Sequence, residues 1–173
     1  EKAIEPLVDL NINIKNKRKK IRYTYVLAQI YERLNNYSES VSYYKAVLKG
    51  KPTFDMAFNA KMSIARVSAK DGTIDYDEIK KLLSKLLKDD KNIDFFDQIY
   101  YAIAELELQH NNKIEGIDNL EKSIATSTIN TNQKAKSYLK LAELYYVDAS
   151  YVKSQAYYDS TLTVLPADNP NYL

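Results

Sequence analysis

Apolar residues recur along this chain at the spacing of an α-helix, and short polar runs separate the apolar stretches. The stretch YVLAQIYERL places its apolar residues on one helix face: Val26, Leu27, Ile30, Tyr31 and Leu34. A second stretch, YLKLAELYYV, has the same kind of pattern. Polar runs such as NN, DGT and TSTINTN mark the breaks between helices, and no alternating strand pattern lies between them.

These segments predict an all-α fold, an α-α superhelix (a solenoid) of about four antiparallel helix pairs that follow a leftover N-terminal helix near residues 1–10. The predicted pairs are 17–35 with 38–50, 54–69 with 75–90, 94–110 with 113–125, and 132–148 with 151–164. We expect the whole chain, 1–173, to form a single solenoid.

One sixteen-residue pattern is written twice, as YSESVSYYKAVLKGKP from Tyr37 and as YVKSQAYYDSTLTVLP from Tyr151. The second helices are predicted to begin at Tyr37, Tyr76, Lys113 and Tyr151, which are 39, 37 and 38 residues apart. A regular period of this length is typical of stacked helical repeats, in which each pair exposes an apolar face that its neighbour covers.

The repeat resembles the tetratricopeptide repeat (TPR). The first and last pairs carry the resemblance in one register: Thr24, Leu27, Ala28, Tyr31, Ser40, Tyr44 and Pro52, then Tyr138, Leu141, Ala142, Tyr145, Ser154, Tyr158 and Pro166. The third pair lacks the proline. The second pair departs most, so we expect its packing to be looser or its loop longer.

Small residues are predicted to face each other inside three of the pairs, where they let the two helix axes approach. The expected contacts are Ala28 with Ser40, Ala104 with Gly116, and Ala142 with Ser154. A Gly116→Leu substitution should therefore overpack the third pair.

Composition excludes several classes of function. The chain has 25 Lys and Arg against 23 Asp and Glu, a net charge of +2, which is too balanced for a dedicated nucleic-acid-binding protein. The absence of cysteine removes disulfides, thiolate metal sites and cysteine nucleophiles. No apolar run is long enough to cross a membrane, and we expect the sequence to be a fragment of a longer protein.

No residue pattern predicts catalysis, so we expect no enzyme activity, cofactor or metal. The one histidine, His110, lies at a predicted helix end, where an imidazole meets free carbonyls. Acidic pairs such as Asp89 with Asp90 and Glu105 with Glu107 are typical of solvated helix surface. The three glycines are isolated and form no phosphate-binding loop.

One segment, KNKRKKIR from Lys15 to Arg22, concentrates positive charge. It is either the solvated start of a helix or a binding patch for an acidic partner, an anionic lipid surface or nucleic acid. Nucleic acid is the least favoured of these, because no aromatic or glycine-rich platform lies beside the segment.

The resemblance to TPR domains implies a concave groove, lined by the first helix of each pair, that binds a protein partner. The residues expected on this wall are Arg22, Tyr25, Gln29, Tyr101, Glu105, Lys136, Leu139, Glu143 and Tyr146. Exposed tyrosines there would be anchors for the partner. The alternative is that Tyr25, Tyr101 and Tyr146 pack between successive first helices, whereas Tyr31, Tyr44, Tyr145 and Tyr158 are expected to pack inside the repeat.

Two segments, Tyr43 to Lys61 and Tyr138 to Tyr172, resemble the SprE/PorW-type lipoproteins of type IX secretion and gliding motility. This resemblance implies a non-catalytic assembly subunit on the periplasmic side of the outer membrane, with secretion-machine components as partners and a lipid anchor outside this sequence. The alternatives are a cytosolic TPR adaptor that binds a peptide or effector domain, and the helical appendage of an enzyme.

Overall fold

The structure, a computed structural model, describes residues 4–72 and 74–165. Nine α-helices lie within these ranges: α1 Ile4–Asn13, α2 Lys17–Arg33, α3 Tyr37–Lys49, α4 Phe54–Asp71, α5 Tyr76–Leu87, α6 Phe96–Gln109, α7 Lys113–Thr126, α8 Thr131–Val147 and α9 Tyr151–Val164. A short 3-10 helix, Asp90–Phe95, precedes α6. No strand lies in the described ranges.

The prediction of an all-α chain with four helix pairs after a leading helix is confirmed. One predicted boundary is wrong: α5 ends at Leu87, and the 3-10 helix precedes α6 where the prediction ran one helix to 90 and began the next at 94. Side-chain hydrogen bonds end α5 and form the turn before α6. The Asp89 carboxylate accepts the Lys91 N–H at 3.2 Å, and the Asn92 amide donates to the Leu86 carbonyl at 2.9 Å. Residues 1–3 of the predicted first helix and Pro166 lie outside the described residues.

The two helices of three pairs are joined by the same three-residue turn. Its middle residue is Asn35, Asn111 or Ala149, with φ of 57°, 62° and 57°, so the chain enters the left-handed region and reverses. In each turn a backbone N–H reaches a carbonyl five residues earlier at 2.9 Å: Asn36 to Tyr31, Asn112 to Glu107 and Ser150 to Tyr145. This geometry closes the first helix and starts the second.

Small residues meet inside these three pairs, as predicted. The hydroxyl of Ser40 donates to the carbonyl of Ala28 at 2.9 Å, and the hydroxyl of Ser154 donates to the carbonyl of Ala142 at the same distance. All four residues are buried. The serine is therefore small enough to lie where the two helices approach closely, and its buried hydroxyl has a hydrogen-bond partner there.

Gly116 takes the position of the serine in the third pair. A Cβ atom on Gly116 would lie 2.7 Å from the Cγ and Cδ2 atoms of Leu108 and 3.5 Å from the carbonyl oxygen of Ala104. A side chain at this position would have to displace the Leu108 side chain, because 2.7 Å is well below van der Waals contact, whereas the distance to the Ala104 carbonyl is an ordinary contact. The space beside Gly116 is therefore filled by Leu108 of the facing helix.

The second pair differs in its turn. The connection from α4 to α5 covers residues 72–75, one residue more than the other three turns, and Gly72 ends α4 with φ of 64°. The expected longer loop is confirmed. Because this connection is longer, the 12-residue separation of the small-residue contacts in the other pairs does not carry over to α4 and α5.

The chain divides into two compact units, Glu1–Leu82 and Leu83–Leu173, and the division falls inside α5. The first unit has a core in which residues of α2, α3 and α4 meet. Its buried members are Ala28, Val41, Tyr44, Val47, Ala60, Ile64 and Val67. The helix α1 is tied to α2 by a hydrogen bond from the Asn11 amide to the Thr24 hydroxyl at 3.2 Å.

The second unit has a core around Ala104, Leu120 and Leu141, one residue each from α6, α7 and α8. A buried carboxylate accompanies it. The Asp97 carboxylate accepts hydrogen bonds from the Ser127 hydroxyl at 2.9 Å and from the Gln98 N–H at 2.8 Å. Because Asp97 is in the first turn of α6, its charge also meets the positive end of the helix dipole, so its role is structural.

Candidate protein-binding surface

The nine residues expected on the groove wall fall in both units: Arg22, Tyr25 and Gln29 in the first, and the other six in the second. In the first unit Arg22 and Gln29 are exposed, whereas Tyr25 is half-buried against the core. The Tyr25 ring meets the Tyr44 ring edge-on, with 5.5 Å between centroids. Burial raises the pKa of Tyr25, and a hydrogen bond with Ser63 of α4 opposes that rise. Tyr25 therefore packs between α2 and α4.

Tyr101 has the same role in the second unit. It is half-buried and packs against the core of Ala104, Leu120 and Leu141. Burial raises the pKa of Tyr101, and the nearby carboxylates of Glu105 and Glu143 raise it further, with a hydrogen bond to Glu105. Tyr101 and Glu105 thus lie close to Glu143 of α8. Tyr25 and Tyr101 therefore pack within the protein, as in the alternative stated above, and neither is a fully exposed anchor on the groove wall.

The four predicted residues of α8 form an exposed stripe. Lys136, Leu139, Glu143 and Tyr146 are spaced at i, i+3, i+7 and i+10, which puts them on one side of the helix. All four are exposed, Leu139 by 40% and Tyr146 by 60%. The stripe is chemically mixed, with an apolar residue and an aromatic ring beside one cation and one anion.

At its C-terminal end the stripe continues into an apolar cluster around the turn between α8 and α9. Tyr146, Val147, Tyr151 and Val152 are exposed by 60%, 82%, 61% and 85%, and we call them the tip cluster. The rings of Tyr146 and Tyr151 meet edge-on with 5.6 Å between centroids. Tyr146, the third of the expected groove tyrosines, is thus exposed and contacts the second helix of its own pair.

Three of the four tip residues, Val147, Tyr151 and Val152, were not among the expected binding residues. A signal for them was present in the repeat itself. At the positions of Val147 and Val152 the first pair has Arg33 and Ser38. Because the first pair folds with polar residues at these positions, the apolar side chains of Val147 and Val152 are not needed for the fold. Exposed apolar residues of this kind indicate a contact surface.

The residues considered for chemistry have structural contacts. Glu107 was expected on solvated helix surface, and that prediction is wrong: its side chain is buried and accepts a hydrogen bond from the Asn112 side chain at 2.8 Å, next to the turn between α6 and α7. His110 ends α6, and its Nδ1 lies 2.9 Å from the Leu106 carbonyl. Within the described residues, no three His, Asp or Glu side chains lie close enough to hold a metal ion. Among the described helices, none has the length and apolar character needed to span a bilayer.

Comparison with models of known protein families gave no match, and comparison with curated protein sequences gave none either. Among solved structures, the chain is similar to the crystal structure of BtubC (BKLC) from P. vanneervenii, with a TM-score of 0.71 and 13% sequence identity. The similarity covers 99% of this chain and 79% of that chain. At this identity the likeness shows the fold alone, an all-α, solenoid-like arrangement of successive helix pairs.

Proposed function

We propose that this chain is a non-catalytic protein-interaction scaffold built from TPR-type helix pairs. The observation that carries the proposal is the tip cluster, four apolar side chains that are each at least 60% exposed and that adjoin the stripe on α8. Exposed apolar residues gathered at one place mark a contact surface, and tyrosine is a frequent anchor in protein interfaces.

The chemistry around the tip cluster supports a protein partner. Lys136 and Glu143 on the stripe carry opposite charges, and Lys140 pairs with Glu143 at 3.7 Å. An apolar centre with a polar, mixed-charge rim is the usual composition of a protein interface. A small-molecule site would instead need an enclosed pocket, whereas these residues lie on an open helix face and a turn.

The repeat pattern supports the TPR assignment. Three pairs share one turn and one small-residue contact, and the motif residues Leu27, Ala28, Leu141 and Ala142 are fully buried. In a TPR array the first helices form the partner-binding wall. The exposed members of the expected wall, Arg22, Gln29 and the α8 stripe, are candidates for that contact.

Affinity purification of the full-length protein from its native cell, followed by mass spectrometry, identifies partners, and binary binding is then measured with the purified chain. Val147→Ser with Val152→Ser should weaken that binding at least about tenfold. The matched control is Ile114→Ser with Ile129→Ser, which changes two residues of equal exposure, 81% and 91%. Binding that survives the first variant, or falls equally in the control, would contradict a role for the tip cluster.

The resemblance of Tyr43–Lys61 and Tyr138–Tyr172 to SprE/PorW-type lipoproteins supports a finer proposal. The chain would be part of an assembly subunit of the type IX secretion and gliding machinery, on the periplasmic side of the outer membrane. A photo-crosslinking residue at position 146 in the full-length protein should capture a secretion-machine component in the envelope fraction. Recovery in the cytosolic fraction with a soluble effector would favour the cytosolic adaptor instead.

A further inference from the structure

The first turns of α2, together with Lys15 just before the helix, carry a set of exposed positive charges. Its members lie within eight residues, and each side chain is exposed: Lys15, Lys17, Arg18, Lys19, Lys20 and Arg22. We call them the basic collar. We propose that the basic collar is a docking surface for a short acidic segment of a partner protein. The collar belongs to the first unit, whereas the tip cluster belongs to the second.

The fold leaves five of these six charges without a carboxylate partner. Among the side chains that the structure describes, no carboxylate pairs with Lys15, Lys17, Arg18, Lys19 or Arg22, whereas Lys20 has a contact of its own within the fold. Cations at a helix N-terminus also oppose the helix dipole. The first turn of α2 has no acidic residue, as is also true of α8 and α9, whereas those of α3, α4, α5, α6 and α7 each have one or more. The collar thus raises the free energy of the isolated fold, and an external anion would relieve it.

The backbone end of α2 is already capped. The Asn16 side chain accepts the N–H of Lys19 at 3.1 Å, in the position where a bound anion would otherwise meet the helix. Binding would therefore depend on the collar side chains and not on the helix N–H groups. Substitution of those side chains should then remove the interaction while the helix remains intact.

Geometry favours a flexible acidic segment over a membrane. Lys17, Arg18, Lys19 and Lys20 are consecutive, so at about 100° per residue they point to all sides of α2. A flat bilayer meets one side of a helix and leaves the other cations unused. Because α2 packs against α1 and α3, a partner meets only its exposed sides, and an extended acidic polypeptide can bend over more than one of these sides to reach several cations.

Charge favours a short segment over nucleic acid. The chain carries +2 overall and the collar alone carries +6, so the remaining residues together carry −4. Outside the collar the chain has no further excess of cations, so it offers little to bind the additional phosphates of a long nucleic acid. An acidic segment no longer than the collar would meet only the positive charges.

The test measures fluorescence anisotropy of a labelled octa-aspartate peptide with the purified chain. We expect binding at about 50 mM salt that weakens at least tenfold at about 300 mM, because salt screens exposed charges. Lys17→Glu, Arg18→Glu and Lys19→Glu together should weaken it at least about tenfold more, since each attraction becomes a repulsion. Circular dichroism checks that this variant keeps its helix content.

The matched control reverses three exposed lysines elsewhere, Lys45→Glu, Lys81→Glu and Lys91→Glu, and so has the same net charge. It should bind octa-aspartate within about threefold of the unsubstituted chain. An equal loss in the control would overturn the proposal, because it would show a response to total charge. No binding of the peptide would also overturn it, as would collar-dependent binding of a 20-nucleotide DNA or of phosphatidylserine vesicles that is tighter than peptide binding.

Discussion

The first pair, α2 with α3, and the last pair, α8 with α9, are built alike but differ in what covers them. Both have the serine-to-alanine hydrogen bond at 2.9 Å, and both stack two tyrosines, Tyr31 on Tyr43 and Tyr145 on Tyr157, at 5.2 and 5.5 Å. Their equivalent tyrosines four residues after the serine are not alike. Tyr44 is 1% exposed and Tyr158 is 39% exposed.

This difference shows that a helix pair forms the contacts between its own two helices by itself, whereas the side that faces away from the pair is buried only by other helices. Tyr44 is buried in the core that α3 shares with α4. Tyr158 lies on α9, the last helix in the described part of the chain, and is exposed in part. The sequence predicted that both tyrosines pack; Tyr44 is fully buried whereas Tyr158 is buried only in part, so the motif position alone does not set the degree of burial.

The largest expected effect contrasts these two tyrosines. Tyr44→Ala should lower the free energy of unfolding by about 3–5 kcal/mol, since it leaves a cavity in the core. Tyr158→Ala should lower it by less than about 1 kcal/mol, because much of that side chain already meets water. Urea denaturation followed by circular dichroism measures both. Similar losses for the two variants would show that Tyr158 is covered as Tyr44 is.

Alkaline pH tests the environment of Tyr44 more finely. Burial, with Glu32 beside the hydroxyl, raises the pKa of Tyr44 from 10.0 to about 12. An unfolded tyrosine ionises near pH 10, so the contribution of Tyr44 is complete below pH 10 and is lost as pH rises toward 12.

The variant Tyr44→Phe lacks the ionisable group, so its stability should fall less steeply across this window. The two stability curves, measured by urea denaturation at each pH, should converge by up to about 2–3 kcal/mol. The Tyr44 hydroxyl also donates to Glu32 at 3.1 Å, so Tyr44→Phe should be the less stable protein at neutral pH. Parallel curves from pH 10 to 12 would contradict the raised pKa.

The third pair tests how closely the two helices of a pair approach. Gly116→Leu should cost about 1–3 kcal/mol, because even a Cβ there overlaps Leu108. Glu121→Leu is the control, an exposed change on the same helix, α7, with an expected effect within about 0.5 kcal/mol. A melting temperature for Gly116→Leu equal to that of the control would show that the pair can open without cost.

The hydrogen bond shared by the first and last pairs predicts that its removal costs both pairs a similar amount of stability. Ser40→Ala and Ser154→Ala should each cost about 0.5–1.5 kcal/mol, because each removes one buried hydroxyl-to-carbonyl bond of the same length. Thermal melts of both variants measure the loss. A large loss of stability in one variant and none in the other would show that the two pairs differ in energy although their hydrogen bonds have the same length.

The smallest expected effect is a gain in stability. Ala149 has φ of 57° where the equivalent turns have asparagine, and a left-handed conformation is unfavourable for alanine. Ala149→Gly should therefore raise stability by about 0.5–1 kcal/mol, and Ala149→Asn by a smaller amount. A lower melting temperature for both variants would contradict this account of the turn.

Most of the fold could be predicted from local pattern. Helical spacing, polar breaks and the repeat period located four helix pairs, and small residues one period apart located the contacts of Ser40, Gly116 and Ser154. These features are predictable because each depends on residues within one pair. The register of the second pair could not be predicted, because its connection is one residue longer than the other turns and the 12-residue separation of the small-residue contacts does not apply to it.

The candidate surface stays a prediction, and the structure adds the exposure of its residues. The four α8 residues of the stripe are exposed on one side of the helix, which helical spacing alone determines. The packing of Tyr25 and Tyr101 depends on the next first helix along the chain, which spacing within one helix cannot show. The exposure of Val147 and Val152 could have been predicted from the repeat, because the first pair has the polar residues Arg33 and Ser38 at the equivalent positions.

The bond between Ser40 and Ala28 joins residues only 12 positions apart, and the bond between Ser154 and Ala142 joins residues with the same separation. Closing so short a segment costs little chain entropy, so each hairpin of helices is expected to form early and fast, as in other proteins of low contact order. During synthesis, at about 5–20 residues per second, α2 and α3 could assemble while α8 and α9 are still untranslated.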